Sequence, residues 1–565
     1  MYINSYIDTR GADVCEPLSF TQVIVKGIAL GGGLFVPKVL PRLSLEEILG
    51  LARLPYHERA ALLYRHFGVD MPFEQIRSLM HQAYADNFDT PDITPVRTVG
   101  DDIHVLELWH GPTLAFKDMA LQCMPLFFSA ALSALHEGGT SAAPYPPEVS
   151  GSSVDTPGKT PEGPTCISKE ALENTASRRG ETPRSADARE YLILVATSGD
   201  TGTAALAGFS HSNYTNIIVF YPQGGVSELQ LRQMLSYSGS NVGVFGLRGN
   251  FDSCQHAVKG AFADVDFNHQ LIQDYGIALS SANSINWGRL LPQIVYYVSA
   301  YAQMVANGQL KAGVELDVCV PTGNFGNILA AYYAAQIGTP IGRLLCASNT
   351  NRVLSDFINT GTYDITDRAF VLTPSPSMDI LVSSNLERQL FELNGRDPVR
   401  IRKWMTDLAT TKRFSVDRDT FAAMRRTFVA DWASADESLA TIKAVYESYG
   451  YLLDPHTAVG WQVAERLRGS NPVLLAATAH WSKFGADVYR GLAGLKAASP
   501  LPDELACLTG VELDTYIAKN YASAAAVPPS ITALAEVDIQ SAKVIGSGSG
   551  DVERCILDWL AQRRP

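Results

Sequence analysis

Tyr191-Leu-Ile-Leu-Val-Ala196 is an unbroken apolar run that passes directly into Thr197-Ser-Gly-Asp-Thr-Gly202 and then a helical pattern of small residues. A strand with one wet face alternates apolar and polar side chains. A continuous run marks a strand buried on both faces, as in a parallel sheet covered by helices. The same order recurs along the chain. Residues 217–221 precede an amphipathic stretch at 226–237, 242–247 precede 251–262, and 276–280 lead into a long helix near 284–305. Runs at 318–321, 344–347 and 472–477 continue the alternation. The spacing predicts an α/β fold with parallel sheets, whose ligands sit beyond the carboxyl ends of the strands.

With 565 residues the chain exceeds one core, so two or three domains are expected. Residues 21–87 read as mostly helical, giving an N-terminal unit at 1–95. A smaller α/β unit at 96–275, a larger one at 276–515 and a C-terminal extension at 516–565 follow. Residues 140–189 hold seven prolines and little aliphatic periodicity, the composition of a disordered surface insertion. The Gly158-Lys159-Thr160 within it lacks the upstream glycine and strand of a phosphate-binding P-loop. Net charge is −13, which argues against nucleic acid or an anionic membrane as partner. No apolar stretch reaches the ~18 residues of a membrane span. Asp8, Arg10 and Glu16 near the start argue against a signal or transit peptide. The eight cysteines form no C-x-x-C pair and read as thiols of a reducing compartment, so a cytoplasmic enzyme without a metal site is expected.

Candidate chemistry lies in five places. Lys117, in His110-Gly-Pro-Thr-Leu-Ala-Phe-Lys117-Asp118, follows an apolar triplet and precedes a nearly charge-free helix at 119–135. Burial there would lower its pKa and favour the nucleophilic amine. Gly323-Asn-Phe-Gly-Asn327 opens a helix, so amides and the positive dipole end converge where a phosphate can sit, although a plain tight turn would look the same. Thr197 to Gly202 has the same character with more hydroxyls. On a helix starting near Ser284, Asn286 and Arg289 would share a face and could meet one anion, although a helix N-cap with a surface arginine would look the same. Thr457, in Asp454-Pro-His-Thr457, reads as a helix N-cap or as a hydroxyl for a heterocycle nitrogen. A lysine able to form a Schiff base, with cradles for phosphate and carboxylate, is what pyridoxal phosphate (PLP) requires.

The motifs at 110–122, 196–204, 284–289, 321–327, 375–380 and 454–460, in this order, resemble threonine synthases of the fungal and bacterial type. These are PLP enzymes of the fold-type-II, tryptophan-synthase-β-like class. The resemblance covers about residues 2–515 apart from the insertion, and it implies two parallel-sheet domains around a cofactor cleft plus a smaller N-terminal domain. It makes Lys117 the Schiff-base lysine and Gly323, Asn324, Phe325, Gly326 and Asn327 the holders of the cofactor phosphate, with Thr457 facing the pyridine nitrogen. Asn283, Ser284, Asn286 and Arg289 would grip a substrate phosphate. Ser198, Gly199, Asp200, Thr201 and Gly202 would lie beside the substrate carboxylate and the ring. An ionised Asp200 beside a ring phenolate would repel it, so its role stays open.

The implied reaction converts O-phospho-L-homoserine and water to L-threonine and phosphate, in a monomer or homodimer. A neutral hydroxyl from Thr457 would leave the ring nitrogen largely unprotonated. A related phospho-lyase releasing 2-oxobutyrate, and more remotely a non-catalytic PLP-binding protein, are the rivals. The sequence departs from the family pattern at Asp8, at Gly31, and at Trp481 and Ser482, where Trp481 is expected to alter the rim of the site.

Overall fold

The computed structural model describes residues 4–12, 18–29, 31–100, 102–137, 190–521 and 526–563. The expected insertion at 140–189 lies outside the described residues. Two sheets dominate. The larger has six strands in the order Phe428–Trp432, Ile341–Ser348, Leu316–Pro321, Val473–Ala477, Ile103–Glu107, Val96–Thr98, all parallel except the last. The smaller has five parallel strands in the order Lys543–Ile545, Val242–Leu247, Thr215–Pro222, Glu190–Ala196, Ile277–Ser280. Central strands such as Thr215–Pro222 are buried at every position, which is why their sequences are continuous rather than alternating.

Three expected boundaries shift. Strand Ile103–Glu107 pairs with Val473–Ala477 in the larger sheet, and Ile277–Ser280 pairs with Glu190–Ala196 in the smaller one. The chain therefore passes from the larger sheet to the smaller between Glu107 and Glu190, the stretch that holds Lys117, and returns between Ser280 and Leu316, which local patterns cannot reveal because strand partners are remote in sequence. The C-terminal extension adds edge strand Lys543–Ile545, and helix Ser549–Ala561 sinks Val552 and Ile556 into the smaller sheet's core. The helical N-terminal unit has no separate core. Phe20, Tyr64 and Tyr84 pack with helix Trp287–Ala306 in one cluster, and that helix is buried from Trp287 to Met304. Among the described residues no helix is long and apolar enough to cross a membrane.

The helix expected at 119–135 is broken into Asp118–Leu121 and Met124–Glu137. Pro125 explains the break, since it cannot donate to the Leu121 carbonyl and is tolerated only in a first turn.

Candidate active site

Lys117 stands at the start of helix Asp118–Leu121, beyond the carboxyl ends of strands Ile103–Glu107 and Val473–Ala477. The loop that carries it is stitched to the second strand's exit, with the Phe116 amide on the Thr478 carbonyl at 2.8 Å and the His480 amide on the Leu114 carbonyl at 3.0 Å. The amine is buried, 3.3 Å from Asp200 Oδ2 and 3.3 Å from Ser377 Oγ. Burial lowers its pKa, partly offset by Asp200 and reinforced by Lys483 and Arg289.

Asp200 is the first residue of helix Asp200–Phe209, where the dipole favours a carboxylate. Gly199 before it has φ +126°, and a Cβ there would come within 2.3 Å of Gln230. Asp200 Oδ1 accepts from Gln230 Nε2 at 3.0 Å and faces Lys483 Nζ at 3.1 Å, while Oδ2 accepts from Lys117 and from Ser377 Oγ at 3.2 Å. Burial opposes its ionisation, but Lys483, Lys117 and His456 outweigh burial and hold it well below the usual carboxylate range. The turn it closes is partly self-satisfied, because the Thr197 hydroxyl accepts the amides of Gly199 and Gly202.

The Gly323–Asn327 turn has the opposite character. A Cβ at Gly323 would meet the Ser377 carbonyl at 2.6 Å, so the turn and the segment carrying Ser377 are in direct contact. Phe325 takes a left-handed conformation (φ +63°) and starts helix Gly326–Gln336, whose first amides have no intrahelical acceptor. Asn327 Oδ1 accepts from Tyr296 at 2.7 Å and Tyr297 at 2.5 Å, leaving its buried Nδ2 without a partner among the described residues. Carbonyls of the turn are turned away, Gly323 accepting from Ser383 Oγ and Asn324 from the Asn385 amide.

Asn286 does not share a helical face with Arg289. The helix begins at Trp287 and Asn286 is its N-cap, with Oδ1 accepting the Gly288 amide at 2.9 Å and Nδ2 donating to the Ile24 carbonyl at 2.8 Å. Its side chain is therefore committed to the fold. Arg289 is available: it donates to the Ala282 carbonyl, its buried Nε has no partner among the described residues, and burial lowers its pKa to about 10. Neighbouring backbone is held by Asn385, which donates to the Ser284 carbonyl, and by Arg388, which binds Asn385 and the Ile285 carbonyl. The Asn283 carbonyl accepts the Asn286 amide in the same tight loop.

Thr457 is not the N-cap of its helix, Pro455–Leu467; Asp454 is, accepting the amides of His456 and Thr457. The Thr457 hydroxyl donates to Asp454 Oδ2, so what it can present elsewhere is a lone pair. Trp481 is not at a rim. It is packed in the core with Val488, Leu505 and Leu513, its indole nitrogen without a partner among the described residues. Asp8 is buried and accepts the Arg10 amide.

Four residues of the cluster escaped the reading of the sequence: Gln230, Ser377, His456 and Lys483. His456 Nδ1 lies 2.8 Å from Asp454 and its Nε2 accepts the Ser377 amide at 3.1 Å, so it anchors the Ser377 segment. Ser377 and His456 sit in the motifs at 375–380 and 454–460, yet nothing local showed that they converge on Asp200.

The donor set fits a phosphorylated, lysine-linked cofactor. A buried amine lies at the strand ends, with an acid-free helix start beside it, and Asn327 Nδ2 and Arg289 Nε are buried without partners. The chain matches the model described as Threonine synthase N terminus over residues 5–84 and that described as Threonine synthase, C-terminal over residues 457–528. It is 36% identical over 511 residues to a threonine synthase of Pseudomonas aeruginosa, covering 89% of this chain and 93% of that one. It is 40% identical over 482 residues to threonine synthase-like 1 of Homo sapiens, 84% of this chain but 58% of that relative's length. A solved structure titled as PLP bound threonine synthase from Brucella melitensis superposes with TM-score 0.74 and 32% identity, covering 100% of both chains.

Proposed function

The chain belongs to the threonine synthase family, and we propose that it uses PLP to convert O-phospho-L-homoserine and water into L-threonine and phosphate. The observation that carries this reading is the Lys117 amine between the acidic Thr197–Gly202 turn and the anion-ready Gly323–Asn327 turn, joined by Ser377. Lys117 would carry the cofactor. The amides opening helix Gly326–Gln336 and Asn327 Nδ2 would hold its phosphate, with the backbone of Gly323, Asn324 and Phe325 shaping the cradle. When bound, PLP supplies an electron sink for proton loss from the substrate's carbon atoms.

The chain's own groups do the rest. The Lys117 amine, when free, would act as general base, with Asp200 Oδ2 and Ser377 Oγ placed to receive it as an ammonium. Arg289 Nε, with Asn283 and Ser284 beside it, binds the substrate phosphate, and Asn286 serves by fixing the helix start. Ser198, Gly199, Asp200, Thr201 and Gly202 flank the substrate carboxylate. With its hydroxyl proton donated to Asp454, Thr457 would offer a lone pair to the ring nitrogen and so would favour a protonated ring rather than an unprotonated one. The assay is incubation of the loaded protein with phosphohomoserine, quantifying threonine, 2-oxobutyrate and phosphate together. Threonine equimolar with phosphate supports the reading. Phosphate with 2-oxobutyrate moves it to a phospho-lyase, and no turnover despite full loading removes it. A cytoplasmic location completes the proposal.

A further inference from the structure

Two lysines meet one buried carboxylate, and they are held in different ways. Lys483 is fully buried, and its three ammonium protons have three acceptors: the Thr113 carbonyl at 2.6 Å, Gln233 Oε1 at 3.0 Å and Asp200 Oδ1 at 3.1 Å. Its position is fixed. Among the described residues Lys117 has two hydrogen bonds, both long at 3.3 Å and on the side of Oδ2, and its amine lies 5.1 Å from the centre of the Phe116 ring, so it is held less tightly than Lys483.

We propose that Lys483 is a positioning residue for the reaction: it neutralises Asp200 permanently from the Oδ1 side, so that Oδ2 can receive the Lys117 amine without leaving an excess negative charge in the site when that amine is engaged. This answers the difficulty that a bare carboxylate poses beside an electron-rich ring. It rests on Lys117 being the cofactor lysine. Gln230 and Ser377 add neutral donors to the same carboxylate. The charged and titratable groups facing this pair are Lys117, Lys483 and His456 around Asp200, Arg289 acting on Lys117, and Asp118 and His480, on which Lys483 also acts. In this arrangement Asp200 raises the Lys117 pKa and Lys483 lowers it. Removing each should therefore move the lysine in opposite directions, which a packing role would not do.

The experiment uses Lys483→Met, Lys483→Gln, Lys483→Arg, Asp200→Asn and the double variant Asp200→Asn/Lys483→Met. Two readouts are taken: the pH titration of the visible band of the loaded protein, and the pH dependence of Lys117 acetylation by acetic anhydride in the cofactor-free full chain. Lys483→Met and Lys483→Gln should titrate at higher pH than wild type and slow Lys117 acetylation several-fold at neutral pH. Asp200→Asn should titrate at lower pH, and Lys483→Arg should stay near wild type. If the single Lys483 variants fail to fold, the double variant, which leaves no lone carboxylate, should still titrate above Asp200→Asn. Unchanged titration in folded Lys483 variants, or a shift in the same direction as Asp200→Asn, overturns the proposal. A chain that never takes up PLP overturns the functional reading instead, while the acetylation data still decide this one.

Discussion

Thr197–Gly202 and Gly323–Asn327 read alike in sequence, each a Gly-containing turn between a buried strand and a helix, yet they end as electrostatic opposites. The first folds two of its amides onto Thr197 and puts Asp200 at the helix start, so it presents a carboxylate to two lysines. The second has no acid, turns its carbonyls toward Ser383 and Asn385, and leaves its first-turn amides and Asn327 Nδ2 without acceptors. A helix start attracts an anion; where the chain supplies one the turn becomes a cation holder, and where it does not the turn waits for a ligand.

The largest effect should come from breaking the first turn's partnership at its amine. Lys117→Ala is expected to abolish the visible cofactor band and reduce turnover to background, checked by absorbance and product assay; a yellow, active variant would falsify the assignment. Next is the anion that neither turn binds. Arg289→Ala removes a charge-assisted contact of about 1.5–3 kcal/mol, so phosphohomoserine should bind at least ~10-fold more weakly while PLP affinity holds. Loss of PLP with unchanged substrate affinity would mean the two phosphate sites are exchanged.

The second turn can be tested by filling its cradle. Gly323→Ala places a methyl 2.6 Å from the Ser377 backbone oxygen, a contact that no side-chain rotation relieves. A cost of about 1–3 kcal/mol is expected, seen as weaker PLP retention on dialysis and a lower unfolding midpoint. Asn327→Asp keeps the size but replaces the unpaired donor with an acid. It makes the second turn resemble the first, and PLP should be retained less well than in wild type. Retention as in wild type would mean the phosphate does not lie there.

How much of this was legible follows from what is local. The strands at 191–196 and 217–221 and the two turns were readable because burial on both faces and strand–turn–helix order are written in adjacent residues. The pairing of Ile103–Glu107 with Val473–Ala477 was not, since the partners are hundreds of residues apart. The burial of Lys117 was readable from its apolar flanks. Lys483 was not, since it matters only through a carboxylate from another sheet. Asn286 shows the remaining difficulty. A helix start misplaced by three residues turns a cap into an apparent ligand-binding face.

That misplacement gives the smallest and most discriminating test. If Asn286 bound the substrate phosphate directly, Asn286→Ala would weaken phosphohomoserine about as much as Arg289→Ala. As an N-cap that also holds the Ile24 carbonyl, it should instead cost about 1 kcal/mol of stability, lowering the unfolding midpoint of the cofactor-free and loaded protein alike. Asn286→Asp and Asn286→Ser can still cap Gly288, though neither restores the Nδ2 donor to Ile24, so each should recover part of that loss. Substrate affinity should fall only as far as Arg289 is displaced, and a KM change as large as that of Arg289→Ala, without loss of stability, would return Asn286 to the binding site.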